Sequence, residues 1–185
     1  MKLLIASDIH GAARWCKQLM TAIDHEQPDR ILLLGDILYH GPRNNVPEDY
    51  APKEVISMLN GVAERIIAVR GNCEAEVDQM VLGFPCMADY TVIFDATDTV
   101  PARELFCTHG HIFGAGMHNS VNNLPALPPQ SALVYGHTHI KVNEQSQQYP
   151  GLWLFNPGSV GIPKDGSHSF GIYEDGLFSH HVLTE

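Results

Sequence analysis

The chain has few basic residues, few cysteines and no long apolar run. Lys and Arg total 11 against 21 Asp and Glu, which gives a formal net charge of −10 and a sequence pI near 5.4. Such a charge opposes non-specific attraction to polyanions, so we expect no nucleic-acid polymer as a partner. Small phosphate esters remain possible ligands, because bound divalent cations can supply the local positive charge that the side chains lack.

The cysteines and the N-terminal residues indicate in which compartment the protein is expected. Cys16, Cys73, Cys86 and Cys107 form no C-x-x-C pair and no regular spacing, which favours reduced thiols of a cytosolic enzyme. The apolar stretch at residues 1–6 soon meets Asp8, so it is too short for a signal-peptide core or a membrane span. We therefore expect a cytoplasmic protein without a membrane partner.

The first half of the chain alternates strand and helix patterns. Short apolar runs at residues 2–6, 30–34 and 65–69 predict strands, and helical spacing of apolar residues predicts helices at 13–26 and 52–62. This order favours a βαβαβ unit with parallel strands.

The second half is richer in strand patterns. Strand-like runs occur at 90–94, 104–108, 133–135, 153–155, 169–173 and 178–183, and Met80 and Leu82 are predicted to belong to the core. Together the halves predict an α/β (α+β) protein with two stacked sheets flanked by helices. A length of 185 residues without a Ser/Gly linker predicts a single domain over residues 1–185.

Polar residues follow each of the first three predicted strands. Asp8 and His10 follow the first strand, and side-chain alternation would place both on one side if the extended conformation persists. Gly35-Asp36 ends the second strand and Gly71-Asn72 the third. Because ligands of α/β sheets bind beyond the carboxyl ends of strands, we expect these side chains to gather there. Helix capping and turn formation are the alternatives for each motif taken alone.

Two H-x-H pairs follow later strands. His109 and His111 come after one apolar run, and His137 and His139 after another. Four histidines in two strand-terminal pairs indicate metal binding. Mixed carboxylate, imidazole and amide donors favour manganese, iron, zinc or nickel, and magnesium less, because magnesium prefers oxygen ligands.

In this order, the motifs resemble the signature of the calcineurin-like metallophosphoesterases. They are D-x-H at Asp8, G-D at Asp36, G-N at Asn72, H-x-H at His109 and G-H-x-H at His137. The short length, the sequence G-N-C-E at 71–74, H-G-P-R-N at 40–44 and N-P-G-S at 156–159 are most similar to the small bacterial phosphodiesterases of the YfcE type.

The resemblance implies a four-layer α/β/β/α sandwich, with two mixed sheets flanked by helices, and two divalent metal ions. Manganese is expected first, with nickel, iron, zinc or magnesium as alternatives. Asp36 would bridge the two ions. The resemblance assigns Asp8, His10 and His139 to one ion and Asn72, His109 and His137 to the other. His111 is not expected to be a ligand.

The resemblance also implies the reaction, which is attack of a metal-activated hydroxide on a small phosphodiester. Asp36 and Asn72 are the expected catalytic residues, and Asn72 would also orient a phosphate oxygen. Larger family members have G-N-H-[DE] where this chain has Cys73, so the imidazole commonly assigned as general acid is missing. This difference favours esters with good leaving groups, or protonation of the leaving group by water.

Substrate contacts are expected from Arg43 and Asn44, and secondarily from Cys73 and His111. A phosphomonoesterase or nucleotidase is the main alternative function. A scaffold such as the retromer subunit that shares this fold is a further alternative, although every ligand position here holds a competent residue. A homo-oligomer is also compatible with a small enzyme of this kind.

Overall fold

The computed structural model describes residues 1–97 and 100–184. Its helices are α1 Ala13–Glu26, α2 Pro52–Asn60 and α3 Glu76–Val81, with a 3-10 turn at Ala63–Arg65. Its strands are β1 Leu3–Ala6, β2 Arg30–Leu33, β3 Ile66–Ala68, β4 Tyr90–Thr97, β5 Val100–Thr108, β6 Gly114–Ala115, β7 Asn122–Asn123, β8 Ala132–Val134, β9 Lys141–Gln145, β10 Trp153–Pro157, β11 Ser169–Glu174 and β12 Leu177–Val182.

The first sheet has five strands in the order β12-β11-β1-β2-β3. Strands β1, β2 and β3 are parallel, as the βαβαβ pattern predicts, and β11 joins β1 antiparallel. Helix α1 has the predicted bounds because Trp15, Leu19 and Ile23 lie on one face and are buried. Thus the three strands that precede Asp8, Asp36 and Asn72 end at the same edge of the sheet.

The second sheet has the order β4-β5-β8-β10-β9. Strands β5, β8 and β10 are parallel, whereas β4 and β9 pair antiparallel at the two edges. The residues that follow β5 and β8 begin with His109 and Tyr135, so both H-x-H pairs leave the same edge of this sheet.

Two apolar layers hold the first sheet in place. Side chains of both sheets, including Leu3, Leu32, Val134 and Phe155, form the layer between them. The helices pack on the other face of the first sheet. The predicted sandwich of two mixed sheets is confirmed.

The outer layer on the second sheet is built differently from the helix layer. A third apolar cluster, with Leu133, Tyr135 and Leu154, packs against Phe113 and Leu127 from the segment between β5 and β8. In the described part of the chain this segment contains the β6-β7 ribbon and irregular backbone but no helix. A loop therefore covers the face where the resemblance implied helices.

Some local predictions differ from the structure. Leu82 is buried as predicted, but the prediction that Met80 is a core residue is wrong, because its side chain is 83% exposed. Among the described residues, no helix combines the length and the hydropathy needed to cross a bilayer. The single domain over residues 1–185 stays a prediction.

Candidate metal centre

The loops that follow β1, β2, β5 and β8 are tied together by backbone hydrogen bonds. Asp8 N–H donates to Gly35 O at 3.1 Å, and His10 N–H donates to Asp36 O at 2.9 Å. On the second sheet, Gly136 N–H donates to His109 O at 2.9 Å. These bonds join the loops within each sheet, and the His137 N–H, which donates to Asp8 Oδ2 at 3.0 Å, links the loops of the two sheets.

Gly35 permits the closest approach between two of these loops. It has a φ of +94°, and a Cβ at this position would lie 2.7 Å from the Gly71 Cα. Only glycine fits both the conformation and the contact without strain. The contact positions Asp36 beside Asn72, the residues that follow each glycine.

Five of the predicted ligands have left-handed backbone conformations. Their φ angles are 55° at Asp8, 51° at His10, 54° at Asp36, 68° at His137 and 60° at His139. The chain is therefore not extended here, and the expected reason for convergence, strand alternation, is wrong. Non-glycine residues adopt this conformation only where the surrounding structure holds them, and such positions cluster at functional sites.

Three imidazoles are oriented by backbone carbonyls. Each ring donates its Nδ1–H to a carbonyl oxygen, which only accepts, so Nε2 is the nitrogen that faces the centre. The three bonds are His10 Nδ1 to Tyr39 O (2.8 Å), His109 Nδ1 to Leu34 O (2.6 Å) and His139 Nδ1 to Ile162 O (2.5 Å).

The first cluster of donors contains Asp8, His10 and His139. The two Nε2 atoms lie 3.3 Å apart, and Asp8 Oδ1 lies 3.2 Å from His139 Nε2 and 3.6 Å from His10 Nε2. Asp8 Oδ2 accepts bonds from Ser7 Oγ and His137 N, whereas the buried Oδ1 has no hydrogen-bond partner among the described residues. Lone pairs and a carboxylate oxygen facing one another require a cation between them.

The second cluster contains Asn72, His109 and His137. His109 Nε2 lies 3.2 Å from Asn72 Oδ1 and 3.2 Å from His137 Nδ1. His137 thus faces the centre with Nδ1, unlike the other three rings.

Asp36 lies between the two clusters. Its Oδ2 is 3.6 Å from His10 Nε2, and its Oδ1 is 3.5 Å from His109 Nε2. Oδ1 also accepts the Cys73 N–H at 2.9 Å. One carboxylate therefore faces both donor groups.

The charges of the centre are strongly coupled. Burial alone would raise the pKa of Asp36, but the adjacent His109 outweighs it and lowers that pKa to about 2. Burial would likewise lower the pKa of His109, but Asp36 and Asp8 raise it to about 9. For His137, burial and then His109 lower the pKa to about 4. Buried anionic and imidazole donors in this arrangement fit divalent cations.

Glu74, the last residue of the G-N-C-E sequence, has a structural role that the sequence alone did not assign to it. It is buried, its Oε2 accepts the N–H of Asp36 at 2.8 Å and of Gly71 at 2.5 Å, and its Oε1 accepts the Ile37 N–H at 2.7 Å. One carboxylate thus fastens the loop after β2 to the loop after β3. Burial raises its pKa, and the neighbouring Asp36 adds to this effect.

The segment that begins with Asn156 braces the centre from the second sheet. Asn156 Nδ2 donates to Gly136 O at 2.9 Å and to Thr138 Oγ1 at 3.1 Å, and Ser159 Oγ donates to Asp8 O at 2.8 Å. These side chains hold the loops of Asp8 and of the second H-x-H pair.

A cleft of about 370 Å³ opens onto the centre. Of the residues predicted to contact substrate, Arg43, Asn44 and Cys73 line this cleft, whereas His111 does not belong to its wall in the described structure; the contacts themselves stay a prediction. The His111 ring packs edge-on against His109, with centroids 5.3 Å apart. Sequence reasoning missed two further lining residues, Asn119 and Lys164, which lie in loops without a motif.

The sandwich and its donor clusters define a metallophosphoesterase class of protein. The profile of the calcineurin-like phosphoesterase superfamily domain matches residues 1–175, and the chain belongs to this superfamily. The resemblance seen in the motifs is confirmed.

Similar proteins agree with this assignment. The chain is 44% identical over 186 residues to phosphodiesterase YfcE of Escherichia coli, with 100% of this chain and 94% of the relative covered. The solved structure of YfcE, described as a phosphoesterase, matches with a TM-score of 0.85 and 41% identity over 100% of both chains. An archaeal phosphodiesterase matches with a TM-score of 0.64 and 20% identity, covering 99% of this chain and 100% of that one, which supports the fold alone.

Proposed function

We propose that the chain is a metal-dependent phosphodiesterase that hydrolyses small phosphodiesters at a centre of two divalent ions. His10 and His139 carry the proposal, because their Nε2 lone pairs lie 3.3 Å apart beside the unpartnered Oδ1 of Asp8. A single proton between the two Nε2 atoms could relieve the repulsion between His10 and His139. Both donor clusters, however, converge on Asp36, and this arrangement fits metal ions. Family membership and the 44% identity to a named phosphodiesterase support the reaction class.

The two clusters suggest how the ions would be held. The ligands would be Asp8, His10 and His139 for one ion, Asn72, His109 and His137 for the other, and Asp36 for both. The two oxygens of Asp36 support this division, because one faces His10 at 3.6 Å and the other faces His109 at 3.5 Å.

When bound, two divalent ions supply positive charge for the attacked phosphoryl group and make water a stronger nucleophile. The side chains of the protein would hold the ions and orient the substrate. The Nδ1–carbonyl bonds of His10, His109 and His139 keep their Nε2 atoms aimed at the centre. Asn72 lines the cleft, where its amide N–H can donate to a phosphate oxygen, and Asp36 holds the two halves of the centre in register.

Proton delivery to the leaving group is weak at this site. Cys73 lines the cleft, and burial, followed by the charge of Asp36, raises the pKa of its thiol. A thiol with a raised pKa is a poor proton donor at neutral pH. Esters whose leaving groups need no proton are therefore the better substrates.

Manganese is the proposed ion, because a set of carboxylate, imidazole and amide donors suits a borderline divalent metal. Nickel, iron, zinc and magnesium are the alternatives. The cytoplasm is the proposed compartment, which fits the free thiols of the four cysteines.

The proposed substrate is a small molecule and not a nucleic-acid polymer, because the net charge is −10. Self-association is part of the proposal, and β4 offers a surface for it. This strand lies at a sheet edge, with Tyr90 49% and Phe94 71% exposed. A second copy could pair there, as exposed strand edges commonly do.

Matched aryl phosphate esters test the reaction class. Chelator-stripped protein should hydrolyse a bis-aryl diester faster than the corresponding monoester once Mn²⁺ is restored. A monoester preference would support a phosphatase or nucleotidase instead. No turnover of either ester with Mn²⁺, Ni²⁺, Zn²⁺ or Mg²⁺ would overturn the enzyme assignment in favour of a scaffold.

A further inference from the structure

Three loops outside the metal-ligand motifs form the outer wall of the cleft. Arg43 lies in the loop after β2, Asn119 lies between β6 and β7, and Lys164 lies between β10 and β11. All three side chains are exposed. The backbone N–H of Lys164 donates to His139 O at 3.0 Å, which anchors this lysine next to the centre.

The two cations of this wall have no counter-ion among the described residues. Among the described residues, no hydrogen bond or ion pair involves the side chains of Arg43 or Lys164, although the chain has 21 acidic residues. Three other cations are paired: Lys2 with Glu26 at 2.8 Å, Arg70 with Asp89 at 2.6 Å and Lys141 with Asp165 at 2.7 Å. Arg43 and Lys164 thus remain available to an anion in the cleft.

The wall is also poor in surfaces for a nucleobase. Apart from the histidines of the centre, the described lining residues include no aromatic ring and no large aliphatic side chain. Bases bind proteins largely by stacking on aromatic rings. Amides of Asn44 and Asn119 are present instead, and these suit a hydrophilic group.

A phosphodiester carries one negative charge, and bound divalent ions would already oppose it. The positive charges of Arg43 and Lys164 are therefore more than the phosphodiester group itself needs. They match a second anion on the substrate, since opposite charges attract.

We propose that Arg43 and Lys164 bind a second negative charge of the substrate, whose class is a small, hydrophilic phosphodiester with an anionic group on its organic arm. A carboxylate and a second phosphate share this chemistry. The inference rests on the proposed function and extends it to the substrate.

Two probes that differ only at one terminus test the inference. They are butyl 4-nitrophenyl phosphate and 3-carboxypropyl 4-nitrophenyl phosphate, measured with the Mn²⁺-loaded protein. We expect the carboxylate to lower KM about tenfold, the effect of one good charge-assisted contact. Lys164→Gln and Arg43→Gln should each bring the KM ratio of the two probes close to one. Lys53→Gln removes an exposed charge on α2, outside the cleft wall, and should leave that ratio unchanged.

Binding of the matching nonhydrolysable phosphonates, measured by calorimetry, separates the two proposals. Equal affinity of the wild type for both phosphonates would overturn the second anion site and leave the phosphodiesterase assignment intact. A preference for the carboxylate that survives in both charge variants would overturn the roles of Arg43 and Lys164. Binding with the expected preference but no hydrolysis of either probe would support the anion site while contradicting the proposed reaction.

Discussion

The Nε2 atoms of His10 and His139 lie 3.3 Å apart, while both rings offer Nδ1 to backbone carbonyls. Neither ring can turn its Nε2 atom away from the other without losing its own hydrogen bond to a backbone carbonyl. A centre built in this way is stable only with positive charge inside it, whether protons or metal ions. Its behaviour should therefore depend on pH without metal and on metal content at neutral pH.

The metal-free protein should lose stability between about pH 6.5 and 9. The pKa of His109 is raised from 6.5 to about 9 in the folded state, since Asp36 and Asp8 outweigh burial. The folded state thus binds more protons, and the stabilisation, about 3 kcal/mol at most, is complete below pH 6.5 and lost as pH rises through 9. Urea unfolding in a chelator should show this loss, and the Mn²⁺-loaded protein is the control with a weaker dependence. A flat profile without metal would contradict the assigned electrostatics.

Asp36→Asn should nearly abolish turnover while the protein remains folded. The amide keeps an oxygen to accept the Cys73 N–H, which Asp36 Oδ1 accepts at 2.9 Å, but it removes the charge that faces both donor clusters. We expect a loss of about a thousandfold or more in kcat/KM, measured with the bis-aryl diester. Asp24→Asn changes an exposed carboxylate in the same way and should have the wild-type rate. Wild-type turnover by Asp36→Asn would exclude a bridging role.

Glu74→Ala should destabilise the protein by several kcal/mol. The substitution leaves the buried N–H groups of Asp36, Ile37 and Gly71 without their acceptor, and each costs about 1–3 kcal/mol. Chemical denaturation measures the change, and Glu64→Ala, at an exposed glutamate, is the matched control. A difference between the two variants below about 1 kcal/mol would mean that Glu74 does not hold the two loops together.

Cys73→His should raise the rate on monoesters relative to diesters. An imidazole at this position of the cleft can protonate a leaving group near neutral pH, whereas burial raises the pKa of the native thiol. The ratio of the two aryl ester rates is the measurement, and Cys73→Ala shows the effect of removing the thiol alone. If the ratio is unchanged in Cys73→His, the absence of a general acid at this position does not explain a preference for diesters.

Regular, apolar elements were predictable from the sequence. Helix α1 has its predicted bounds because Trp15, Leu19 and Ile23 repeat at helical spacing. Strand β9 was missed because it is a polar edge strand in which only Val142 is buried. Helix α3 was missed because Asp78 is its buried residue while Met80 is exposed, the reverse of an amphipathic pattern.

Convergence of the site residues was predictable, but its cause was not. Strand ends indicated that Asp8, His10, Asp36 and Asn72 would gather, and the family resemblance added the H-x-H pairs. Left-handed backbone, and not extended chain, directs most of these side chains toward the centre. The positions of Glu74 and Lys164 beside the centre depend on tertiary contacts that residue spacing in the sequence does not predict. Local patterns therefore locate the proposed ligands of the centre, while the residues that brace or surround them emerge only from the fold.

Titration of chelator-stripped protein with Mn²⁺, followed by both metal content and diester turnover, tests the central claim most directly. Two ions per chain would fill the two donor clusters on either side of Asp36, so turnover should appear only as occupancy approaches about two. Turnover that is complete with one ion, or that persists without metal, would contradict a dinuclear centre.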